Sequence, residues 1–145
     1  MIVIGCDHAG YELKKEVIDY LTEKGYETLD VGCNGESIDY PIIAKQLCEN
    51  VLNGKCEKGI LICGTGIGMS IAANKFKGIR AAACSEHFSA KFTRLHNNSN
   101  VLCMGARTIG SGVALELVDI FLNTEFEGGR HQRRVDLITD IENNN

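Results

Sequence analysis

The chain has 145 residues, of which 44% are hydrophobic and 23% charged, and its formal net charge is −4. That length fits one domain, residues 1–145, around a single core, and the mix is that of a globular chain rather than a disordered one. The acidic balance excludes a general affinity for nucleic acid or acidic membranes, so an anion site has to be built locally.

MIVIG (1–5) opens the chain as an apolar strand. No basic region precedes it, so it does not read as a signal peptide. Leu13, Val17, Ile18 and Leu21 then recur at helical spacing, and Gly25 suits the helix stop. YETLDV (26–31) is the second strand; Pro41 suits the first turn of a helix carrying Ile43, Leu47 and Val51. GILIC (59–63) is the third strand and leads into a glycine-rich turn and a short helix from Met69 to about Asn74. IRAAA (79–83) and NVLCMG (100–105) are the fourth and fifth strands. Phe88, Phe92 and Leu95 mark the helix between them, and Val113, Leu117, Val118, Phe121 and Leu122 the helix that follows. The polar end, Glu142 to Asn145, is expected to fray. No apolar stretch reaches the length needed to cross a bilayer.

This alternation implies a parallel sheet wrapped by helices, because parallel strands need crossover connections. The expected fold is α/β: a Rossmann-like three-layer α/β/α sandwich with a five-stranded parallel sheet. Ligands in open sheets of this type bind outside the carboxyl ends of the strands, at the switch point where strands one and three adjoin. Strand one ends in Gly5-Cys6-Asp7-His8-Ala9-Gly10 and strand three in Cys63-Gly64-Thr65-Gly66-Ile67-Gly68, so Asp7 and His8 are expected to face the glycine turn.

The glycine turn leaves successive backbone N–H groups open at the start of a helix, which suits a phosphate, carboxylate or enolate oxygen. A tight turn that needs glycine only for steric reasons is the plainer reading. The turn lacks the lysine of a P-loop, and it follows the third strand rather than the first, as a dinucleotide fingerprint would. Seven cysteines, at 6, 33, 48, 56, 63, 84 and 103, form no CxxC pair. A disulfide framework or zinc site is therefore not expected, and most of them read as small apolar side chains in a reducing cytoplasm. Cys63 differs by position, since a helix N-terminus and nearby donors favour a thiolate, which serves as nucleophile or base. Thr65 reads either as a turn residue or as a hydroxyl donor to substrate.

Two further groups stand out. His96 ends the Phe88–Phe92–Leu95 helix beside Asn97 and Asn98, where it is either a satisfied core histidine or a ring presented outward; His87 reads as a surface histidine. The run Glu127-Gly128-Gly129-Arg130-His131-Gln132-Arg133-Arg134-Val135 concentrates positive charge, and on a helix Arg130, Arg133 and Arg134 share a face. Such a fork grips phosphate, or it is a solvated basic face. Arg107, after the fifth strand, is one more cation at the sheet edge.

GCDHAG, DYP at 39–41, ICGTGIGMSIAANK, HNNSNVL at 96–102 and GGRHQRRV together resemble the ribose-5-phosphate isomerase B branch of the sugar-phosphate isomerases, in register from Met1 to about Ile141. The resemblance implies a metal-free, cofactor-free interconversion of ribose 5-phosphate and ribulose 5-phosphate through an enediolate, within the non-oxidative pentose phosphate pathway. It implies Cys63 as the base, Thr65 and His96 as helpers of ring opening with His96 as proton donor, and the amides of Gly64, Thr65, Gly66, Ile67 and Gly68 as the enediolate cradle. Asp7, His8, Asn97, Arg107, Arg130 and Arg134 would contact the sugar or its phosphate. It also implies a cytoplasmic homodimer whose sites draw on both subunits, with pairing into tetramers left open, and neither nucleic acid nor membrane as a partner. One branch of the family uses a glutamate base, at the position occupied here by Met69, which cannot take a proton. Sister enzymes act on allose 6-phosphate or galactose 6-phosphate, so a six-carbon substrate stands as an alternative. A non-catalytic phosphate- or nucleotide-binding module is the rival from another class, and it leaves Cys63, His96 and the arginines unexplained. A cysteine phosphatase is disfavoured because no C-x5-R follows Cys63, and a redox enzyme because CxxC is missing.

Overall fold

A computed structural model describes residues 1–145. Five strands, β1 (Ile2–Cys6), β2 (Thr28–Asp30), β3 (Lys58–Cys63), β4 (Ala81–Ala83) and β5 (Val101–Gly105), form one sheet in the order β2-β1-β3-β5-β4. Every pairing is parallel. The helices are α1 (Tyr11–Glu23), α2 (Tyr40–Leu52), α3 (Ile67–Ala73), α4 (His87–Asn97), α5 (Ser111–Asn123) and α6 (Arg130–Asn143). The expected α/β/α architecture is the one observed. The two edge strands are only three residues long, shorter than their apolar runs, which limits the open edge each presents.

Side-chain alternation along the strands divides the core in two. Ile2, Ile4, Cys6, Ile60, Ile62, Leu102 and Met104 point to the face covered by α1, α5 and Ala90 of α4. Val3, Leu61, Cys63, Val101 and Cys103 point to the face covered by α2 and α3. Both faces are buried, which is why β1, β3 and β5 read as continuous apolar runs rather than alternating ones.

Two sequence expectations differ from the structure. Phe88 and Phe92 do not face the core: Phe88 is 67% exposed, and α4 buries Ala90, Thr93 and Arg94 instead. Arg94 belongs inside because its Nε donates to the Thr124 carbonyl and its Nη1 to the Ser99 carbonyl and Asn98 Oδ1, so the buried charge is held by three hydrogen bonds. The polar end does not fray either. α6 continues through Asn143, and the Glu142 carboxylate accepts from the Gly78 amide at 3.1 and 3.2 Å, tying the last turn to the loop before β4.

Candidate active site

The carboxyl ends of β1, β3 and β5 lie side by side, with Cys6 opposite Ile62 and Cys63 opposite Gly105. The Asp7 amide donates to the Ile62 carbonyl at 3.2 Å, which sets Asp7 directly beside the end of β3. Its carboxylate accepts from the Ala9 amide at 3.0 Å, capping the short 3-10 turn His8–Gly10, and it is 8% exposed. His8 is exposed at the same edge.

The glycine turn is shaped by close backbone approach. Gly66 has φ +80°, and a Cβ there would lie 2.9 Å from the Met104 carbonyl carbon, so β5 leaves no space for a side chain. A Cβ on Gly68 would lie 2.7 Å from the ring of Tyr40, which packs over the start of α3. Within this turn the Gly66 amide donates to Cys63 Sγ at 3.2 Å. That bond aims a backbone dipole at the sulfur and fixes its direction within the turn. Thr65 Oγ1 accepts from the Ile67 amide at 3.2 Å, leaving its own proton free for another acceptor. Arg107 closes the far side: its amide donates to the Gly64 carbonyl at 3.0 Å, and its guanidinium lies against Gly64. Asp7, His8, Cys63 to Gly68 and Arg107 therefore form one cluster.

Burial pushes Cys6 and Cys48 up to about 12 and Cys84 up to about 11, and it raises Cys56 and, further, Cys103. All seven cysteines are free.

His96, Asn97, Arg130 and Arg134 form a second cluster elsewhere. Arg80 Nε donates to the Asn97 carbonyl at 2.9 Å, and the Asn100 amide donates to the Arg80 carbonyl, so the end of α4 sits where β4 and β5 begin. Cys63 lies at the opposite edge, four residue steps along β5, or about 13 Å at strand rise. Leaning of His96 back along α4 recovers at most one turn, about 5 Å. Two strand spacings, about 10 Å, also separate β3 from β4. Within one chain, His96 does not reach Cys63.

His96 is half-buried, edge-on to Phe92 at 5.0 Å and stacked on His131 at 4.0 Å between ring centroids. His131 is 4% exposed, and burial, then the neighbouring charges of His96 and Arg130, lower its pKa. Its position was not legible in the sequence, because the pairing joins α4 to α6 and no spacing within either helix encodes it. The same holds for Tyr40 over Gly68. Arg130, Arg133 and Arg134 are exposed in the first turns of α6, which has no acidic residue there. Three cations at the positive end of a helix repel one another and the helix dipole, an arrangement an anion would relieve.

Residues 2–138 match the family model described as Ribose/Galactose Isomerase. The chain is 51% identical over 142 residues to ribose-5-phosphate isomerase B of Escherichia coli (strain K12), covering 97% of this chain and 95% of that one. It is 45% identical to D-erythrulose-4-phosphate isomerase of Pectobacterium atrosepticum, over 94% of this chain and 91% of that one. Among solved structures, ribose-5-phosphate isomerase B of Clostridium thermocellum superposes with a TM-score of 0.97 at 49% identity, covering 99% of this chain and 97% of that one. Sequence, sheet order and glycine turn thus agree: the chain belongs to the ribose/galactose isomerase family, with the enzyme fold of its ribose-5-phosphate isomerase B members.

Proposed function

We propose that this isomerase interconverts ribose 5-phosphate and ribulose 5-phosphate, with Cys63 as the base and His96 of a second copy as the acid that opens the sugar ring. The observation that carries the reading is the Gly66 amide donating to Cys63 Sγ inside the glycine turn at the carboxyl end of β3. Aldose–ketose isomerisation needs a base at the carbon beside the carbonyl, donors for the enediolate oxygen, and an acid for ring opening. Cys63 takes the proton from carbon 2 and returns it to carbon 1. The amides of the Gly64–Gly68 turn that its internal hydrogen bonds leave free, with the Thr65 hydroxyl, hold the oxygen on which charge develops, while Asp7, His8 and Arg107 grip the sugar. Asn97, Arg130 and Arg134 bind the far end, and their hold on the phosphate orients the reacting carbons. No step calls for a metal or redox cofactor, and a chelator is expected to leave turnover unchanged.

The separation of the two clusters supports a homodimer with shared sites, because a second copy can bring His96 to the Cys63 edge. Apolar surface supports it too: Ile67 and Ile71 on α3 are 57% and 59% exposed, and Leu137, Ile138 and Ile141 line the outside of α6. Seven free thiols suit a cytoplasmic setting, and no helix is long and apolar enough to cross a membrane.

Steady-state kinetics on ribose 5-phosphate, allose 6-phosphate, galactose 6-phosphate and erythrulose 4-phosphate test the assignment. The five-carbon substrate is expected to give the highest kcat/KM. A higher value on a four- or six-carbon sugar would overturn the substrate assignment while leaving the isomerase chemistry intact.

A further inference from the structure

His96 and His131 have a third neighbour. Glu127 lies in the segment between α5 and α6, and its amide donates to the Leu95 carbonyl, which pins that segment to the last turn of α4. Its carboxylate approaches His131 Nε2 at 3.4 Å. That is longer than an ordinary charge-assisted hydrogen bond, about 2.7–2.9 Å. It matches the spacing of two ligand atoms held about 2.0–2.1 Å from one tetrahedral ion, about 3.4 Å apart. The ligand atoms of His96, Glu127 and His131 all lie within 4.8 Å of one another.

We propose that His96, Glu127 and His131 form a binding site for a borderline-soft divalent cation such as Zn2+, which inhibits the enzyme by occupying the His96 imidazole. Two imidazoles and one carboxylate, with a fourth position open to water, are the donor set of open zinc sites. The three residues come from α4, the segment between α5 and α6, and α6 itself, so the scaffold holds them without help from the ion. His131 and Glu127 already stand at ligand spacing, and the stacked rings are 12° from parallel. A tilt of the half-exposed His96 ring turns its nitrogen toward the same point. Arg130 and Arg134 lie close by and oppose any cation, so the site selects ions that bond strongly to nitrogen. Mg2+ and Ca2+ bind through oxygen ligands and charge, and they are rejected.

The binding claim stands on geometry alone, whereas the inhibition rests on the ring-opening role of His96. Calorimetric titration of the reduced wild-type protein with Zn2+ separates them, run beside Glu127→Gln, His131→Gln and Cys63→Ala. One ion per chain is expected to bind the wild type and the Cys63→Ala variant alike. Loss of the carboxylate ligand in Glu127→Gln should weaken binding by more than the about 10–100-fold typical of an outer-shell partner. His131→Gln should do the same, and Mg2+ should give no heat of binding. Zn2+ should also slow isomerisation by the wild type, a chelator should restore it, and Glu127→Gln should turn over normally and need more Zn2+ for the same inhibition. Equal Zn2+ affinity in wild type and Glu127→Gln, or loss of binding in Cys63→Ala alone, would overturn the site. Zn2+ binding as described with undiminished turnover would support the site and instead remove His96 from ring opening.

Discussion

At the residue scale the decisive feature is the contrast between Cys63 and the other thiols. Cys63 and Cys84 are covered alike, 5% and 6% exposed, yet only Cys63 has a backbone amide aimed at its sulfur. Burial and Glu86 raise Cys84 to about 11, so that thiol stays protonated at pH 8. Iodoacetamide at pH 8 should therefore label Cys63 before Cys84 and abolish isomerisation in step with that label. Peptide mapping that finds Cys84 modified first would contradict this. Cys63→Ala should lower turnover by about 10²–10⁴-fold, the usual contribution of a positioned acid or base, while substrate binding persists. Near-normal turnover of that variant, followed by ketose formation, would remove Cys63 from the role of base.

At the scale of elements, the turn between β3 and α3 and the tie between α1 and β2 bear the most local demand. Gly66→Ala puts a Cβ into the Met104 backbone at φ +80°, where the left-handed conformation alone costs about 1–2 kcal/mol. Thermal unfolding should shift down accordingly, and activity should fall further than stability, because the Gly66 amide moves away from Cys63. Lys14, 1% exposed on α1, donates to Asp30 at 2.8 Å and to the Cys33 carbonyl. Lys14→Met should destabilise the fold, by less than the about 3–5 kcal/mol of breaking a fully buried pair, since Asp30 is 37% exposed and can rehydrate. Denaturant unfolding checks it, and an unchanged midpoint would contradict it.

The order of these elements was legible in the sequence because apolar runs and helical stripes follow burial directly. β1 and β3 read correctly as strands covered on both faces, and Pro41 and Gly25 marked helix ends where they fall. The core face of α4 is not legible in this way, because Phe88 and Phe92 satisfy helical spacing while a buried, hydrogen-bonded arginine takes the core side. Site legibility followed the same division. The turn after β3 and the end of β1 could be joined by the switch-point rule, since both are local features of strand ends. The stack of His96 on His131, the Glu127 contact and Tyr40 over Gly68 are long-range packings that no periodicity records.

At the scale of the whole molecule, one chain carries Cys63 with the glycine turn at one sheet edge, and His96 with Arg130 and Arg134 at the other. Cys63 lines none of the three principal cavities of the single chain. In the proposed function a second copy brings His96 to Cys63, and the exposed apolar residues of α3 and α6 offer it a surface. Mixing Cys63→Ala and His96→Ala subunits tests that claim most directly. In a random mixture of symmetric dimers, half are mixed, and each mixed dimer has one site with both residues intact, so about a quarter of wild-type activity should return. Reconstituting the two inactive variants by unfolding and refolding them together should give that recovery. A mixture that refolds into dimers and stays as inactive as its parents would contradict the shared site.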